Sequence, residues 1–387
     1  MTGRRLTLLV ALLALTMVTA TYLQGALSVV AAFLIDEFGV SRSQLGTAFT
    51  AFSLTGAFSS PVAGTLADRG TRRVLLGLFG VAIVGWGMIA VAPGFGFVLA
   101  GSVIAGLGLG AGNPATNRVI SRWVEPRLRG LVVGIKQAGP PLGLLGAGLA
   151  LPPIALAVGW RWALVASILV PLVGAALTLR LVPQDDQEEA GRATTTDPGA
   201  ARRAVIWLTV IGTGVATGLS AVLAFVPLYA IEAVGATPAQ AGALASAMGV
   251  AGVVGRIGWG AVAHRLGRPS NSLLLISAVS LAATGLVAAA QFWGVGWLWL
   301  GVGLVGASML AWHSVAWLAI IDRVGLAGLG RASGVMQLGN SIGFGLGPPL
   351  AGLVVDHTSS YQWAWWGVFA LFAVLTVLTG YVRAAGR

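Results

Sequence analysis

The chain has 387 residues, of which 57% are hydrophobic and 9% charged. Soluble domains average about 45–50% apolar and about 25% charged, so this balance excludes a soluble globular enzyme. It also excludes disorder, which needs low hydrophobicity and high charge. With no cysteine in the chain, disulfides, thiolate chemistry and Cys-based metal sites are out. Three histidines do not make a His-rich site, so neither a metal nor a cofactor is expected. The net charge of +11 resembles a nucleic-acid signal until its placement is mapped.

A spanning helix with its loop takes about 32 residues, which predicts about 12 spans for this length. Arg4 and Arg5 precede an apolar run that continues to Leu34. A signal-peptide core is only about 7–15 residues, so this segment reads as an uncleaved first span. Twelve apolar stretches follow one another at 6–34, 44–67, 73–92, 95–123, 130–154, 160–182, 204–232, 238–263, 271–291, 295–322, 331–355 and 361–383. Between the sixth and seventh lies a polar stretch with Asp185, Asp186, Glu188, Glu189 and Pro198 and no apolar period. It reads as a mobile linker at 184–203, separating a bundle of six spans at 1–183 from a second at 204–387.

Orientation follows from the arginines. With the N-terminus in the cytoplasm, the cytoplasmic loops collect Arg4, Arg5, Arg69, Arg72, Arg73, Arg122, Arg127, Arg129, Arg265, Arg268 and Arg323, among others, while the opposite loops hold Arg42 and Arg161. That is the positive-inside asymmetry, and it puts both termini in the cytoplasm. It also accounts for the basic balance without nucleic acid. Asp36, Glu37, Glu232 and Asp356 fall at the outer ends.

The two halves repeat in parallel. Gly134, Gln137, Gly139 and Gly143 match Gly334, Gln337, Gly339 and Gly343, and 334 − 134 = 200. Gly64 to Arg73, after span two, is echoed by Gly260 to Arg268, after span eight, and 260 − 64 = 196. Two parallel repeats place a substrate site near the midplane, between the halves. The expected fold is thus an all-α membrane protein of twelve transmembrane helices in two parallel six-helix repeats.

These residues resemble the major facilitator superfamily of secondary transporters. The segment Gly64-Thr-Leu-Ala-Asp68-Arg69-Gly70-Thr71-Arg72-Arg73 is similar to the family's cytoplasmic loop motif G-x-x-x-D-R-x-G-R-R, with the glycine one place early. In the second copy His264 stands at the Asp position. The resemblance implies that Asp68, Arg72 and Arg73, with Glu125 at the end of span four, latch the cytoplasmic side when the protein opens outward. The other reading of these charges is topology alone. Span five, with Gly139, Pro140, Pro141 and Gly143, resembles the family's fifth-span motif loosely. Small residues there allow close helix packing, and proline bends the helix.

Ionisable residues inside a span are functional candidates, because they are costly to place there. Four stand out: Arg118, Lys136, Arg256 and His313. Lys136 is the only lysine, and its repeat mate is Met336; it is either a binding cation or a side chain that snorkels to the surface. Arg118 stands four residues before Arg122 and reads as an extension of the cytoplasmic charge cluster. Arg256 lies eight residues before His264, about 12 Å along the helix. Its surroundings, Gly255-Arg256-Ile257-Gly258-Trp259-Gly260, resemble span eight of monocarboxylate transporters, where an Arg in A-R-P-x-x-G binds the substrate carboxylate. Ile257 replaces the proline, and Gly252 stands where those transporters place an aspartate. The resemblance therefore carries carboxylate binding to Arg256 and does not carry Arg–Asp proton coupling. The alternative for Arg256 is pairing with backbone carbonyls. His313, at the repeat position of Asn113, is either a proton carrier or a neutral histidine bonded across helices. Asn113 and Asn117 share a helix face and, with Gln137, Tyr22, Gln337 and Asn340, are the neutral polar candidates for the substrate site. Deep tryptophans Trp259, Trp312 and Trp317 line a cavity or simply pack.

No Asp or Glu lies deep within these spans. A cavity holding uncompensated cations favours an anion in low dielectric. The expected activity is transport of a small organic anion, a carboxylate, by alternating access, through proton symport or anion exchange. The alternative is a multidrug or metabolite exporter of the same fold, with a neutral aromatic cavity. A membrane enzyme would need a deep constellation such as H-E-x-x-H, and the sequence has none. Short loops and no organellar presequence fit a bacterial cytoplasmic membrane. The partners expected are the substrate and the lipid bilayer, with the protein a monomer and no nucleic acid.

Overall fold

The structure is a computed structural model, and it describes residues 3–183, 198–265 and 269–385. No side chain is described at 3, 68, 126, 130, 198–202, 204, 257, 260, 261, 263–265, 269, 317, 318, 320–334 or 385. The described residues form α1 (Gly3–Val29), α2 (Ala31–Phe38), α3 (Arg42–Ala90), α4 (Phe95–Trp123), α5 (Pro126–Gln137), α6 (Gly139–Val158), α7 (Trp160–Ser167), α8 (Leu169–Leu181), α9 (Pro198–Glu232), α10 (Pro238–Arg265), α11 (Pro269–Trp293), α12 (Val295–Thr358) and α13 (Tyr361–Ala385). Among them are eleven helical segments long and apolar enough to cross a bilayer, so the chain is an all-α, multi-pass membrane protein. The α12 run holds two of these, Val295–Ala316 and Val335–Thr358. The stretch expected as span two, 44–67, is helical within α3 but is not among the eleven. Its Gln44, Thr47, Thr50, Ser53, Thr55, Ser59, Ser60 and Pro61 dilute its apolar content. Most of the stretch expected as a linker, and the loop residues Gly267 and Arg268 of the second motif copy, lie outside the described residues. The helix α9 already begins at Pro198.

Two breaks interrupt the helices near candidate residues. The α3 helix kinks at Gly70, where the backbone is extended (φ −173°, ψ 80°), inside the Asp68–Arg73 motif. Span five breaks between α5 and α6 at Ala138. Pro140 and Pro141 have no N–H to give to the preceding turn, so the chain restarts a helix there with proline in its first positions.

Packing divides the chain into two compact units, one of Met1–Val40 with Ala51–Ala190, the other of Ser41–Thr50 with Gly191–Arg387. The first has a core that includes Leu12, Leu13, Leu75, Phe79, Ala115 and Val119, all without exposed surface. Gly106 lets α4 lie against the Phe52 carbonyl of α3, where a Cβ would collide. In the second unit Gly306 does the same for α12 against the Met248 carbonyl of α10.

Local devices recur at matching positions. Ser41 and Gln44 close a capping box at the start of α3, with Ser41 N–H donating to Gln44 Oε1 at 2.8 Å and Gln44 N–H to Ser41 Oγ at 3.2 Å. Thr237 and Gln240 do so for α10, at 2.9 and 3.2 Å, and 237 − 41 = 196. Such boxes satisfy N–H groups that a helix start leaves without an internal acceptor. Just before each box stands a glycine in the left-handed region, Gly39 (φ 61°) and Gly235 (φ 76°), the conformation glycine adopts without penalty.

Within the second unit, Ser41–Thr50 is held by polar contacts. The Asp356 carboxylate caps α3, accepting from the N–H of Arg42 at 3.1 Å and of Ser43 at 2.9 Å. The Arg42 guanidinium pairs with Glu232 and donates through Nε to the Tyr361 hydroxyl at 3.0 Å. Tyr361 in turn donates to Glu232 at 2.7 Å. Burial works against the charge of Arg42, but Glu232 and Tyr361 outweigh it and hold its pKa above the ordinary arginine value. Replacing Asp356 by alanine removes the acceptor for two helix-terminal N–H groups. We expect a loss of about 1 kcal/mol, read as a lower melting temperature in detergent, with a smaller loss for Asp356→Asn. An unchanged melt in both variants would show that water serves these groups equally well.

Candidate functional site

The most concentrated polar site in the first unit forms around Lys136, in the last turn of α5 beside the Ala138 break. Lys136 has no exposed surface. Its Nζ donates to Asn117 Oδ1 at 2.6 Å, Thr116 Oγ1 at 2.8 Å and Asn113 Oδ1 at 3.3 Å. These three lie one turn apart on α4, which presents i, i+3 and i+4 on one face. Each offers oxygen as an acceptor. The Thr116 hydroxyl proton is directed to the Gly112 carbonyl at 2.6 Å, which leaves its lone pairs for the lysine. Asn113 Oδ1 also accepts from Gln137 Nε2 at 3.2 Å. Three N–H donors meeting three acceptors is the coordination an ammonium takes. Among the described residues, no carboxylate is hydrogen-bonded or ion-paired to Lys136. A buried cation solvated only by neutral dipoles is a strong attractor for an anion.

In the second unit the deep basic group is Arg256 on α10. Its Nε donates to the Leu310 carbonyl of α12 at 3.1 Å, and Trp259 Nε1 donates to the Ala307 carbonyl at 2.8 Å. Gly255 makes this approach possible, because a Cβ there would meet the Ala307 backbone. One turn further along α12 lies His313, which feels the charge of Arg256. Its ring is edge-on to Trp312 at 5.4 Å and tilted against Phe344 at 6.4 Å.

The structure brings together Lys136, Asn113, Asn117 and Gln137, and adds Thr116, which the sequence pattern does not single out although it sits between the two asparagines. Other expected site residues are placed elsewhere within their units. The Tyr22 hydroxyl is hydrogen-bonded to Ser167 at 2.9 Å, with its ring 4.8 Å from Trp86. Gln337 donates to Ser341, one turn on, at 3.4 Å. Asn340 is 3% exposed, and its side chain is in hydrogen-bonding contact with that of His313. Of the residues expected as a latch, Glu125 pairs with Arg127 at 2.8 Å, Arg73 is exposed and Arg72 half-buried. The side chains of Asp68, His264, Arg265 and Trp317 lie outside the described residues. Among the described residues, no group of three or more His, Asp or Glu is placed to hold a metal.

The family model described as "Major Facilitator Superfamily" matches residues 10–336. The chain belongs to the major facilitator superfamily. Several superfamily members resemble it along most of their length. A hexuronate transporter of Bacillus subtilis (strain 168) is 28% identical, over 92% of this chain and 90% of its own. A probable sulfoacetate transporter of Cupriavidus necator is 27% identical, over 87% and 84%. A 3-(3-hydroxy-phenyl)propionate transporter of Escherichia coli (strain K12) is 29% identical, over 84% and 81%. This superfamily member is therefore a multi-pass membrane protein of transporter type.

Proposed function

We propose that the protein is a secondary active transporter that carries a small organic anion, a carboxylate, across the cytoplasmic membrane by alternating access. The observation that carries this reading is Lys136, a buried ammonium whose partners are all neutral oxygens. An anion is the ligand that such a group draws most strongly. The names of the relatives support it, since hexuronate, sulfoacetate and hydroxyphenylpropionate are all organic anions. We assign anion recognition to Lys136 with Asn113, Asn117 and Gln137 in the first unit, and to Arg256 with His313 in the second. Asp68, Arg72 and Arg73, which flank the break at Gly70, and Glu125 are the proposed cytoplasmic latch. Coupling is by proton symport or by exchange of one anion for another. Twelve spans in two parallel six-helix repeats, with both termini cytoplasmic, complete the proposal. The capping boxes and left-handed glycines that recur 196 residues apart support the repeat, because matching sequence offsets there carry matching backbone conformations.

The test is a ligand panel on the purified protein in detergent, read as melting temperature, with mono- and dicarboxylates, inorganic anions, sugars and lipophilic cations. A ligand that binds the folded state raises its apparent stability by mass action. We expect stabilisation by carboxylates in the wild type, with the dose response shifted at least about tenfold or lost in Arg256→Ala, since a charge-assisted guanidinium–carboxylate pair is worth about 1.5–3 kcal/mol. Stabilisation by lipophilic cations alone, indifferent to Arg256→Ala, would replace this reading with an exporter.

A further inference from the structure

We infer that Asn113 is a stand-in for the substrate: its side-chain oxygen occupies the place that a carboxylate oxygen of the transported acid takes, and binding displaces it. This inference rests on the carboxylate reading and says how Lys136 meets its ligand. An ammonium has three protons to give and accepts nothing. All three are directed to oxygens of the chain, on Asn113, Thr116 and Asn117. An anion therefore gains a hydrogen bond from Lys136 only where one of these oxygens gives way.

The three partners are not equivalent. Thr116 has no exposed surface and accepts at 2.8 Å, and Asn117 Oδ1 accepts at 2.6 Å. Asn113 Oδ1 is the loosest, at 3.3 Å. Asn113 is also half-buried, so its amide can swing aside by a change of rotamer. At the same oxygen a second donor arrives, Gln137 Nε2 at 3.2 Å. Chemistry fixes these orientations: an ammonium only donates, so Asn113 turns its oxygen to it, and Gln137 meets that oxygen with its NH2. The helices yield here too. Pro114, next in the chain, has no N–H to return to the turn before it, and α5 ends just past Gln137 at Ala138.

Two donors, one of them charged, thus converge on one neutral oxygen that is free to leave. Bonds to an ionised acceptor are roughly twice as strong as neutral ones, so a carboxylate oxygen outcompetes the amide at this point. Lys136 and Gln137 then give the acid one proton each, while Thr116 and Asn117 keep the ammonium in place. The arrangement has a consequence of unusual sign. A site that fills itself shows an affinity lowered by the fraction of time it is vacated. Cutting back Asn113 therefore strengthens binding, where cutting back a residue that only bonds the ligand weakens it. A fixed carboxylate at position 113 fills the site permanently.

The experiment reads thermal-shift dose curves of the full-length purified protein in detergent with benzoate, 3-phenylpropionate and glucuronate. For the acid that stabilises the wild type most, Asn113→Ala and Asn113→Ser should bind about fivefold or more tightly than the wild type. Gln137→Leu, which removes a donor to the acid, should bind about fivefold more weakly. Asn113→Asp should melt above the wild type without ligand and gain no further stabilisation from any of the acids. Shortened variants that fold and bind no more tightly than the wild type overturn the inference. So does an Asn113→Asp protein that melts lower, fails to fold or still responds to the acids, and this arm needs no assumption that the shortened variants fold. If none of the acids stabilises the wild type, the carboxylate reading fails and this inference fails with it. If the wild type binds an acid and the Asn113 variants behave otherwise than stated, only this inference fails.

Discussion

Lys136→Met is expected to weaken substrate binding by about a hundredfold or more and to leave a folded protein. The loss follows from the charge. Lys136 has no exposed surface and no acidic partner among the described residues, so its field is little screened, and a carboxylate brought near it gains several kcal/mol over the same contact in water. The fold survives because two effects oppose each other. Methionine leaves the oxygens of Asn113, Thr116 and Asn117 without their shared donor, at about 1–3 kcal/mol for each acceptor that finds no other. It also removes the cost of burying an ammonium, and exchange of buried charge for apolar side chains is often neutral or stabilising. Met336 occupies the repeat position, so methionine is a residue this helix pattern already carries. Lys136→Arg separates charge from shape: it keeps the cation but brings a broad planar fork to a three-oxygen pocket spaced for one nitrogen, and partial loss is expected. The measurement is the dose response of thermal stabilisation by carboxylates, followed by uptake into proteoliposomes. Binding by Lys136→Met within about threefold of wild type would make the lysine a structural group.

Much of this site was legible in the sequence as a set of residues, and little of it as an arrangement. A lone lysine in an apolar span stands out on cost alone, and Asn113 and Asn117 share a face by periodicity. That Lys136 turns its amine onto that face depends on the end of α5 at Ala138 and on how α5 meets α4, which one strand of sequence does not specify. Thr116 was missed because a threonine in a helix normally returns its hydroxyl to its own backbone, as this one does to Gly112 at 2.6 Å; its second role, as acceptor, leaves no mark in the pattern. Tyr22 and Gln337 show a related limit. Each is a polar residue in a span, bonded to Ser167 and Ser341 respectively, and polarity alone does not tell interhelical glue from ligand. The Arg42, Glu232 and Tyr361 cluster was invisible for another reason. Glu232 and Tyr361 are 190 and 319 residues from Arg42, and the sequence offered only that Arg42 and Glu232 both lie on the outer side. The proposed orientation and repeat rest on charge bias and on 196- or 200-residue offsets, which are properties of the chain itself.

Gly306→Val is expected to disrupt the second unit and to abolish ligand binding with it. The methyl-bearing carbon would point at the Met248 carbonyl oxygen, 2.9 Å from Ala251 Cβ and 3.0 Å from the Met248 carbonyl carbon. Two of those neighbours are backbone, so no rotamer change relieves the clash, and α10 and α12 must separate. Gly255, from the opposite helix, leaves as little room: a Cβ there would lie 2.7 Å from Ala307 Cα. Each helix therefore contributes a glycine to the same close approach, as small residues do where helices pack in lipid. Overpacking of this kind costs about 1–3 kcal/mol per inserted methyl-sized group, and valine adds three carbons. The consequence reaches the site because Arg256 follows Gly255 directly. Its bond to the Leu310 carbonyl at 3.1 Å, and that of Trp259 to the Ala307 carbonyl at 2.8 Å, both cross the interface that valine would open. Gly306→Ala should lower the melting temperature, and Gly306→Val should prevent recovery of folded protein or melt lower still. Gly303→Ala is the control, since an added Cβ there meets nothing within 4 Å and alanine favours the helix by about 1 kcal/mol. If Gly306→Val melts with Gly303→Ala and still binds carboxylates, then the packing of α10 on α12 does not hold Arg256 in place.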